Sequence, residues 1–457
     1  MFRHPHPRLA STAAAALLTL VLGAVAHAQS PHDARQGEQW AVAPGAVLNL
    51  PAAWEVSQGS GVVVAVIDSG ARLEHPDLAP NAWVNFDEVP GNRVDDDANG
   101  YVDDVHGVDL TTSSRNRQDL SDGNGHGTHV SGIIAGAANG RGVVGVAFRA
   151  RLMTVKVLDA RGAGTTGGVA EGIRYAAANG ARIINLSLGG PTRDPRVTEA
   201  VRAAEDANVL LVCSAGNLSQ NVDRQPSYPV SLAARNLVGV AATEPVRGRD
   251  LGEFSNFGRN TIGLAAPGVD VLSSANDGGW QLKSGTSMAA PHAAGVAALM
   301  ASLRPDMSAA ELRAELLQNA SRASLPIGGG YLDALTSVVS VASAATYRLG
   351  QPPLVRVLSA QRRGARTSVQ IAALGNTRAI VRFRLSLDGR RVAELRKRGS
   401  PFTVRLRARR GRKLRVDALG RDGGTIASAT RKVRAVRPGK RGVRRGSGVG
   451  AGQVTIR

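Results

Sequence analysis

Short apolar runs alternate with helical patterns through about the first 270 residues of this chain, and that alternation limits the fold more than any other feature. The run at 62–67 is continuously apolar and β-branched, which is typical of a central strand buried on both faces. Helical patterns lie at 168–178 and 197–207, between further candidate strands. Alternation of strand and helix predicts an α/β fold, with a parallel sheet and helices on both faces. The further candidate strands are 152–158, 182–188, 209–213, 237–242 and 262–265.

Four polar residues follow or open these elements. Asp68 ends the first run and His126 opens an apolar segment. Asn217 follows the run at 209–213, and Ser287 opens an Ala-rich helical stretch. Each alone has an ordinary explanation as a turn residue, a core histidine or a helix cap. A doubly wound sheet, however, brings such positions together at the carboxyl ends of its strands. A hydroxyl nucleophile needs a base, and a carboxylate orients that base, so the set predicts a hydrolytic site.

The residues around these four positions form motifs in the order Asp, His, Ser. They read Val-Ala-Val-Ile-Asp-Ser-Gly at 64–70, Asn-Gly-His-Gly-Thr-His-Val-Ser-Gly at 124–132 and Gly-Thr-Ser-Met-Ala-Ala-Pro-His at 285–292, with Cys-Ser-Ala-Gly-Asn at 213–217. With these motifs the chain resembles the subtilisin-like serine proteases, or subtilases, over about residues 39–335. The resemblance implies a subtilisin-like three-layer fold and a serine endopeptidase. It implies that Ser287 is the nucleophile, His126 the general base and then acid, and Asp68 the group that orients His126. It also implies an oxyanion hole made by the Asn217 side-chain amide and the Ser287 backbone N–H.

The resemblance extends to two segments that pair with an extended substrate in subtilases. They are Gly162-Ala163-Gly164 and Leu186-Ser187-Leu188-Gly189. Backbone pairing of this kind depends on chain shape more than on sequence. The pocket for the side chain before the scissile bond lies, by the same resemblance, between Leu188-Gly189 and Ser214-Ala215-Gly216. Because this pocket contains no evident acidic residue, we expect protein or peptide substrates, broad specificity and an apolar preference.

A non-catalytic protein is the alternative from another functional class, one that binds surfaces or anions with a subtilase-like scaffold. An inactive relative would usually lack one of the four site residues, and all four are present. His129 lies three residues after His126, but no further zinc ligands are arranged nearby, so we interpret it as a packing residue. Cys213 is the only cysteine, which excludes an intramolecular disulfide framework, and its apolar neighbours predict a buried, inert thiol.

An acidic loop near residue 100 spaces its oxygen ligands like the first part of a calcium-binding loop. Asp95, Asp97 and Asn99 take the first, third and fifth positions, and Tyr101 follows with its carbonyl group. The twelfth position is a histidine instead of a glutamate, so Asp103 or Asp104 must complete the shell. We expect a structural Ca²⁺ ion here, with a solvated acidic turn as the alternative.

A second calcium site is implied by the resemblance alone. Its ligands would be Asp77 and Asn139, together with the backbone carbonyl groups of Ala137, Arg141 and Val143. The ligand contributed by the N-terminal arm stays open.

The N-terminus has the pattern of a secretory signal peptide at residues 1–28. Arg3 and Arg8 precede an apolar run at 12–26, and Ala26-His27-Ala28 fits a cleavage site. We therefore expect a secreted or periplasmic protein without a stable membrane span after cleavage.

An arm with Gln39-Trp40 and Trp54 as landmarks precedes the Asp68 motif. About 40 residues separate Ala28 from Asp68, too few for the inhibitory propeptide that many secreted subtilases carry.

Charge divides the chain into two parts. From Arg348 to Arg457 there are 30 lysines and arginines against four acidic residues, whereas the remainder has 26 against 32. This contrast predicts a peptidase domain with its arm at 29–345, a basic accessory domain at 346–436 and a Gly/Arg-rich disordered tail at 437–457.

Alternating apolar and polar residues predict an all-β, immunoglobulin-like sandwich for the accessory domain. Its arginines either cover a solvated sheet face or bind an anionic polymer such as nucleic acid, lipopolysaccharide or another surface polymer. The scarcity of aromatic residues disfavours stacking on single-stranded bases.

Overall fold

The computed structural model describes residues 33–42, 46–112, 118–245, 250–322, 324–348, 354–363, 366–374, 380, 382–396, 402–407, 413–419, 425–435 and 454–456. The predicted signal peptide at 1–28 lies outside the described residues, as does most of the predicted tail. No helix of the described residues is long and apolar enough to cross a membrane.

A largely parallel sheet forms the centre of the first domain. Its strands within the described chain are β1 (Val63–Asp68), β2 (Gly107–Asp109), β3 (Arg151–Lys156), β4 (Ile183–Leu186), β5 (Leu210–Ser214), β6 (Leu237–Thr243), β7 (Ile262–Pro267), β10 (Ser321–Arg322) and β11 (Gly330–Tyr331). Their spatial order is β10-β11-β7-β6-β5-β4-β1-β3-β2, and only the β10–β11 pair is antiparallel. A separate hairpin, β8 (Val271–Ser274) with β9 (Trp280–Lys283), lies just before the helix that carries Ser287.

Helices cover both faces of this sheet. Those of the described residues are α1 (Leu50–Ala53), α2 (His126–Ala135), α3 (Thr166–Ala178), α4 (Pro195–Asp206), α5 (Thr286–Leu303), α6 (Ala309–Gln318) and α7 (Ala334–Arg348). Val64 and Val66 of β1 pack in one apolar cluster with α2, α5, α6 and α7. Ala65 and Ile67 of the same strand pack with α3 and α4 in a second cluster. This two-residue alternation, with both faces buried, confirms the three-layer α/β architecture that the apolar runs predict.

Helix α5 lies inside the domain. Every residue from Met288 to Ala301 is buried, as expected for a helix that is apolar on all sides. Small side chains allow close neighbours: a Cβ atom on Gly295 would lie 2.5 Å from Cβ of Val146. Helix α6 begins with the capping box that its sequence predicts, since Ser308 and Glu311 exchange hydrogen bonds.

The N-terminal arm is bonded to this domain at several points. The Gln39 side chain both donates to and accepts from the backbone of Val144, at 3.1 and 3.0 Å. The indole N–H of Trp54 donates to the Val146 carbonyl group at 2.8 Å. These bonds attach the arm to the segment that packs against α5.

The C-terminal part forms two mainly antiparallel sheets packed face to face, and only the short edge strands of one sheet pair in parallel. Its main strands are β12 (Leu354–Arg363), β13 (Arg366–Leu374), β14 (Arg382–Leu387), β15 (Arg390–Arg396), β16 (Phe402–Arg407), β17 (Lys413–Leu419) and β18 (Thr425–Lys432), with the short β19 (Arg434–Ala435) and β20 (Val454–Ile456). The two orders are β19-β12-β13-β16-β20 and β15-β14-β17-β18. Apolar residues from both sheets form one cluster, with Phe383 and Val369 among its fully buried members. This arrangement confirms a β domain of the sandwich type.

Two details differ from the sequence interpretation. The strands β15 and β18 were not predicted, because their alternation is weakened by adjacent arginines in β15 and by small residues in β18. Within the predicted disordered tail, Val454–Ile456 pairs in parallel with β16, and its β-branched residues suit such an edge position.

The sandwich contacts the peptidase domain at α1 and α7. Val339 of α7, Ala372 of β13 and Ala52 of α1 belong to one buried apolar cluster. The guanidinium group of Arg431 lies 3.1 Å from the Glu55 carboxylate. The two parts are therefore packed together within the described residues.

Candidate active site

Asp68 lies at the carboxyl end of β1, in the middle of the sheet. Its side chain is fully buried. Oδ1 accepts hydrogen bonds from the backbone N–H of Ser69 at 2.7 Å and from Nδ1 of His126 at 2.8 Å. The structure thus brings together two residues that are 58 positions apart in sequence.

His126 is the first residue of α2, and about a quarter of its side chain is exposed (24%). The helix can start here because Gly125 has φ 84, and a Cβ at Gly125 would lie 2.7 Å from the Asn276 side chain. Burial opposes protonation of the His126 ring, but the attraction and hydrogen bond of Asp68 outweigh it and raise the pKa of His126. The ring is therefore held by Asp68 while one of its edges stays accessible.

Ser287 is the second residue of α5 and is half-buried. Its hydroxyl donates to the backbone carbonyl of Ser187 at 3.0 Å. The Ser187 hydroxyl in turn donates to the backbone carbonyl of Ser287 at 2.8 Å. Because Ser187 directly follows β4, these reciprocal bonds fix the start of α5 against the sheet edge.

Asn217 follows β5 and is exposed. Its Oδ1 accepts both the backbone N–H and the hydroxyl of Thr286, at 2.9 and 2.8 Å. A Cβ atom built on Gly285 would lie 3.3 Å from Nδ2 of Asn217 and 3.7 Å from the backbone N of Ser287. Two N–H donors therefore lie on the same side of Gly285, where the absence of a side chain leaves them open.

A cleft of about 550 Å³ begins at His126. Six of the predicted substrate-binding residues line it: Gly162, Ala163, Gly164, Ser187, Leu188 and Gly189. The other four do not line it: Leu186, Ser214, Ala215 and Gly216. Leu186, the last residue of β4, and Ala215, directly after β5, are fully buried. Asp194, which the sequence interpretation did not include, also lines the cleft, and it is paired with Arg196 at 2.7 Å.

The sequence also matches known proteins. Residues 59–350 match the subtilase family, Peptidase S8. This chain belongs to the subtilase family. It is similar to an intracellular serine protease of Paenibacillus polymyxa, with 37% identity over 62% of this chain and 79% of the relative. It is also similar to thermitase of Thermoactinomyces vulgaris, with 35% identity over 61% of this chain and 87% of the relative. Among solved structures, a protease of Pseudoalteromonas arctica aligns with a TM-score of 0.56 and 32% identity, over 68% of this chain and 99% of that one. The subtilase is accordingly a serine endopeptidase, and its predicted α/β peptidase fold is confirmed.

Two buried side chains near the site do not face the cleft. His129 of this subtilase is fully buried, and burial lowers its pKa to about 3, so the ring is neutral and Nε2–H donates to the Gln281 carbonyl at 3.0 Å. Cys213 is also fully buried, and burial raises the pKa of its thiol. A buried thiol with a raised pKa is unreactive.

In the acidic loop of the subtilase, Glu88 lies beside Asp95 and Asp97, and the sequence interpretation missed this carboxylate. Carboxylate oxygens of Glu88, Asp95 and Asp97 lie within 4.8 Å of one another. Glu88 precedes the one-three-five pattern by several residues, so ligand spacing could not identify it. It also accepts the backbone N–H groups of Asp96 and Asp103, at 2.8 and 2.9 Å.

The other predicted loop ligands occupy different places. Asn99 donates to Asp97 and Asp104, at 3.0 and 3.1 Å. Asp104 also accepts the hydroxyl of Tyr175, and the ring of Tyr101 packs edge-on against that tyrosine. Asp103 accepts the backbone N–H of Arg93 at 3.0 Å.

A second oxygen-rich site lies where the N-terminal arm meets the loop after α2. Asp77 is fully buried and accepts the backbone N–H of Val143 at 3.0 Å. Asn139 donates to Asp77 at 3.3 Å, and its backbone N–H donates to Asp33 of the arm at 2.9 Å. The other oxygen of Asp33 is buried without a hydrogen-bond partner among the described residues. Asp33 thus lies where the sequence interpretation left the arm's ligand open.

Proposed function

We propose that this subtilase cleaves peptide bonds with Ser287 as nucleophile, His126 as general base and acid, and Asp68 as the carboxylate that orients His126. The observation that carries the proposal is the 2.8 Å hydrogen bond between His126 Nδ1 and the buried Asp68. This bond requires a proton on Nδ1, which leaves Nε2 free to act as the base. The Ser287 hydroxyl donates to the Ser187 carbonyl group in the structure. The hydrogen bond from Ser287 to His126 that the attack requires belongs to the kind that often tightens only in the substrate complex.

The reaction has two halves. Ser287 Oγ attacks the scissile carbonyl carbon, its proton moves to His126 Nε2, and the carbonyl electron pair moves onto oxygen. When the tetrahedral intermediate collapses, the C–N bond breaks and the leaving amine takes the proton from His126. Water then attacks the acyl-enzyme through the same steps and regenerates Ser287. Throughout, Asp68 stabilises the imidazolium form of His126.

The oxyanion of the tetrahedral intermediate needs donors in the right place. Asn217 Nδ2 and the Ser287 backbone N–H are the proposed pair. Support comes from Thr286, which occupies the Asn217 side-chain oxygen and so turns its amide group the other way. Such donors act most strongly when they are held in place before the reaction.

Specificity is proposed to be broad, with an apolar preference before the scissile bond. Leu158, Val169 and Leu188 supply apolar surface in the cleft. Asp194, the one acidic lining residue among those that the structure describes, is bound by the Arg196 guanidinium, so it does not present an unpaired charge to a basic substrate side chain. A cleft of this kind selects shape and apolar area.

Active-site labelling tests the triad. Wild type, Ser287→Ala and a control, Ser284→Ala, would be treated with a phosphonylating reagent and assayed on a denatured protein. We expect a single adduct and cleavage in the wild type and the control. Ser287→Ala should lose the adduct and about 10⁶-fold in kcat. Equal activity of Ser287→Ala and wild type would contradict the proposal. The family comparisons do not favour the non-catalytic alternative.

We also propose that Ca²⁺ stabilises the fold at the acidic loop. Three carboxylates within 4.8 Å of one another repel unless a cation lies between them, and oxygen ligands are those that Ca²⁺ prefers. Glu88, Asp95 and Asp97 would hold the ion. The loop spacing offers the carbonyl of Tyr101, the side chain of Asn99 and either Asp103 or Asp104 as further ligands, although these side chains lie in other hydrogen bonds in the structure.

A second Ca²⁺ ion is proposed at the arm. Asp33 and Asp77 would hold it, with Asn139 and the carbonyl groups of Ala137, Arg141 and Val143. One oxygen of Asp33 is buried without a hydrogen-bond partner among the described residues, which suits a ligand of a cation. Burial and the neighbouring Asp77 raise the pKa of Asp33, because they disfavour its negative charge. A divalent cation would stabilise both carboxylates and bind the arm to the domain.

Export is proposed from the signal-like sequence at residues 1–28. In a bacterial host, N-terminal sequencing of the exported protein should find a start close to residue 29. Retention of the full-length chain in the cytoplasm would contradict export.

The basic sandwich is proposed to bind an anionic polymer. Outward residues of the sheet β15-β14-β17-β18 include seven bases and two acids within the described part: Arg382, Arg384, Arg391, Arg396, Lys413, Arg415 and Lys432, with Glu394 and Asp417. Arg382, Arg384 and Arg391 all contact Glu394, so one acid serves three arginines. The excess positive charge suits a polyanion.

Salt-dependent binding tests this second function. Affinity for duplex DNA and for lipopolysaccharide would be measured at several salt concentrations. We expect Arg382→Glu with Arg384→Glu to weaken binding and reduce the salt dependence. Arg149→Glu with Arg202→Glu, two exposed sites on the peptidase domain, is the control with the same change of charge. Equal binding by both charge-reversed proteins would contradict a role of this sheet face.

A further inference from the structure

We propose that Asp122 is a positioning residue for the reaction: its buried carboxylate joins the end of β1, which carries Asp68, to the first turn of α2, which carries His126. This inference rests on the proposed catalytic roles of Asp68 and His126. Asp122 acts through these residues, since none of the hydrogen bonds of its carboxylate within the described chain goes to Ser287 or to the His126 ring.

Asp122 is almost fully buried (7% exposed), and its carboxylate accepts five hydrogen bonds. Oδ1 accepts from the Ser69 hydroxyl at 2.8 Å and from the backbone N–H groups of Asn124 and Gly125, at 3.1 and 2.7 Å. Oδ2 accepts the backbone N–H and the hydroxyl of Thr128, at 2.8 and 2.7 Å. Hydrogen bonds to an ionised group are about twice as strong as neutral ones, so this carboxylate fixes all four neighbours.

Asp122 and Ser69 together supply the cap that α2 lacks. The N-cap residue is Gly125, which has no side chain to accept the N–H groups of the first turn. The Gly127 N–H donates instead to Ser69 Oγ at 3.0 Å, and the Thr128 N–H donates to Asp122. The start of the helix, and with it the direction of the first side chain, is therefore fixed from outside the helix.

The same contacts connect the helix to the end of β1. Ser69 directly follows Asp68 and bridges Asp122 to Gly127. The backbones are also in close contact: a Cβ atom on Gly127 would lie 2.1 Å from the Gly70 carbonyl oxygen and 3.2 Å from Cβ of Asp68. A shift of the Asp122 loop would therefore change the distance between Asp68 and His126.

Asp122 also contributes to the charge around His126. Three charged groups act on the ring electrostatically: Asp68, which also contacts it, Asp122 before α2 and Lys283 on β9, while His129 is buried and neutral. Burial lowers the pKa of His126, Asp68 raises it most strongly, Lys283 lowers it and Asp122 raises it. A second anion near the ring favours the imidazolium ion that forms during catalysis.

Asp122→Asn, which is isosteric but neutral, tests the inference in the full-length protein with a peptide substrate. We expect kcat to fall by about 10-fold to 100-fold with little change in KM, because misplacement of a catalytic group by about 1 Å costs that much. The acid limb of kcat/KM should move to lower pH, since a neutral amide no longer favours the imidazolium. Ser69→Ala removes the hydroxyl that bridges Asp122 and Gly127, and it should also lower kcat while KM stays unchanged.

Asp119→Asn is the matched control, because Asp119 lies in the same loop and is largely exposed. It should retain the wild-type kinetics. If Asp122→Asn lowers only the thermal midpoint and leaves kcat and the acid limb unchanged, Asp122 is merely structural and the inference is overturned. If Asp122→Asn does not fold, an unchanged kcat in Ser69→Ala overturns it. Failure of the proposed function is a different result, namely equal activity of wild type and Ser287→Ala.

Discussion

Nδ1 of His126 lies 2.8 Å from Oδ1 of Asp68, and the Asp68 carboxylate is fully buried at the end of the central strand. Its other oxygen, Oδ2, has no hydrogen-bond partner among the described residues. The negative charge is therefore balanced mainly by the Ser69 N–H and by the imidazole ring. A buried carboxylate with so few donors favours a cation beside it, which is the form that His126 takes during catalysis.

This contact predicts the pH dependence of the enzyme. Burial lowers and Asp68 raises the pKa of His126, and the net shift is upward from 6.5. Because the base must be unprotonated, we expect kcat/KM to rise with pH along a limb centred above 6.5. Asp68→Asn should move this limb to lower pH and reduce kcat by about 10⁴-fold, the loss known for the equivalent change in another serine protease. Asp277→Asn, an exposed site, should change neither. An unmoved acid limb in Asp68→Asn would contradict the assignment.

Linkage gives the same contact a signature in stability. A raised folded-state pKa means that the pair stabilises the fold fully below the unfolded pKa of His126. This contribution is lost as the pH rises through the folded pKa, from 6.5 upward. Thermal midpoints of wild type and Asp68→Asn should therefore converge with rising pH as far as this pair contributes.

Asn217→Ala tests the oxyanion donor. We expect kcat to fall by about 10²–10³-fold with little change in KM, the loss measured for subtilisin when the corresponding donor is removed. Thr286→Val removes the hydroxyl that donates to Asn217 Oδ1 but retains the backbone N–H of residue 286, which donates to the same oxygen. The decrease in kcat should therefore be smaller than for Asn217→Ala. A rise in KM with constant kcat for Asn217→Ala would indicate a ground-state contact instead.

Calcium removal should lower the thermal midpoint. A ligand present at 100 times its Kd stabilises the fold by about 2.7 kcal/mol, so chelation should produce a shift of several degrees. Asp95→Asn with Asp97→Asn should remove most of the contribution from the acidic loop. Asp96→Asn is the control, because the Asp96 carboxylate accepts from Val89 and Asn92, outside the trio.

The two proposed calcium sites can be separated. Asp33→Asn affects only the site at the arm, so its effect on the calcium-dependent shift should add to that of the loop variants. If calcium leaves the thermal midpoint of the wild type unchanged, both sites are disproved as stabilising sites.

The sequence predicted the peptidase fold well because its strands are buried on both faces. Burial forces nearly every strand position to be apolar, so the run at 62–67 coincides with β1 within one residue. The hairpin β8–β9 was missed, because Trp280 to Lys283 are partly exposed and have no comparable pattern.

Contacts between distant segments could not be predicted from local patterns. Motif order identified Asp68 and His126, but Asp122 and Ser69 meet only because the loop before α2 folds back onto β1. Asp33 comes close to Asp77 in the same way, through the wrapping of the arm. Spacing within one segment carries no information about such neighbours.

Gly295→Ala is expected to destabilise the protein, although alanine favours helices by about 1 kcal/mol over glycine. In α5 the new Cβ atom would lie 2.5 Å from Cβ of Val146, which is a branch point and cannot rotate away. Overpacking of this kind costs about 1–3 kcal/mol, so the net change should be a loss of stability. Gly167→Ala in α3 is the matched control, since its nearest neighbour is the flexible end of Arg196 at 3.0 Å. The measurement is the thermal midpoint of each variant. It should be unchanged or higher for Gly167→Ala and lower for Gly295→Ala than for the wild type. An equal rise in both variants would contradict the close packing of α5 against the segment at Val146.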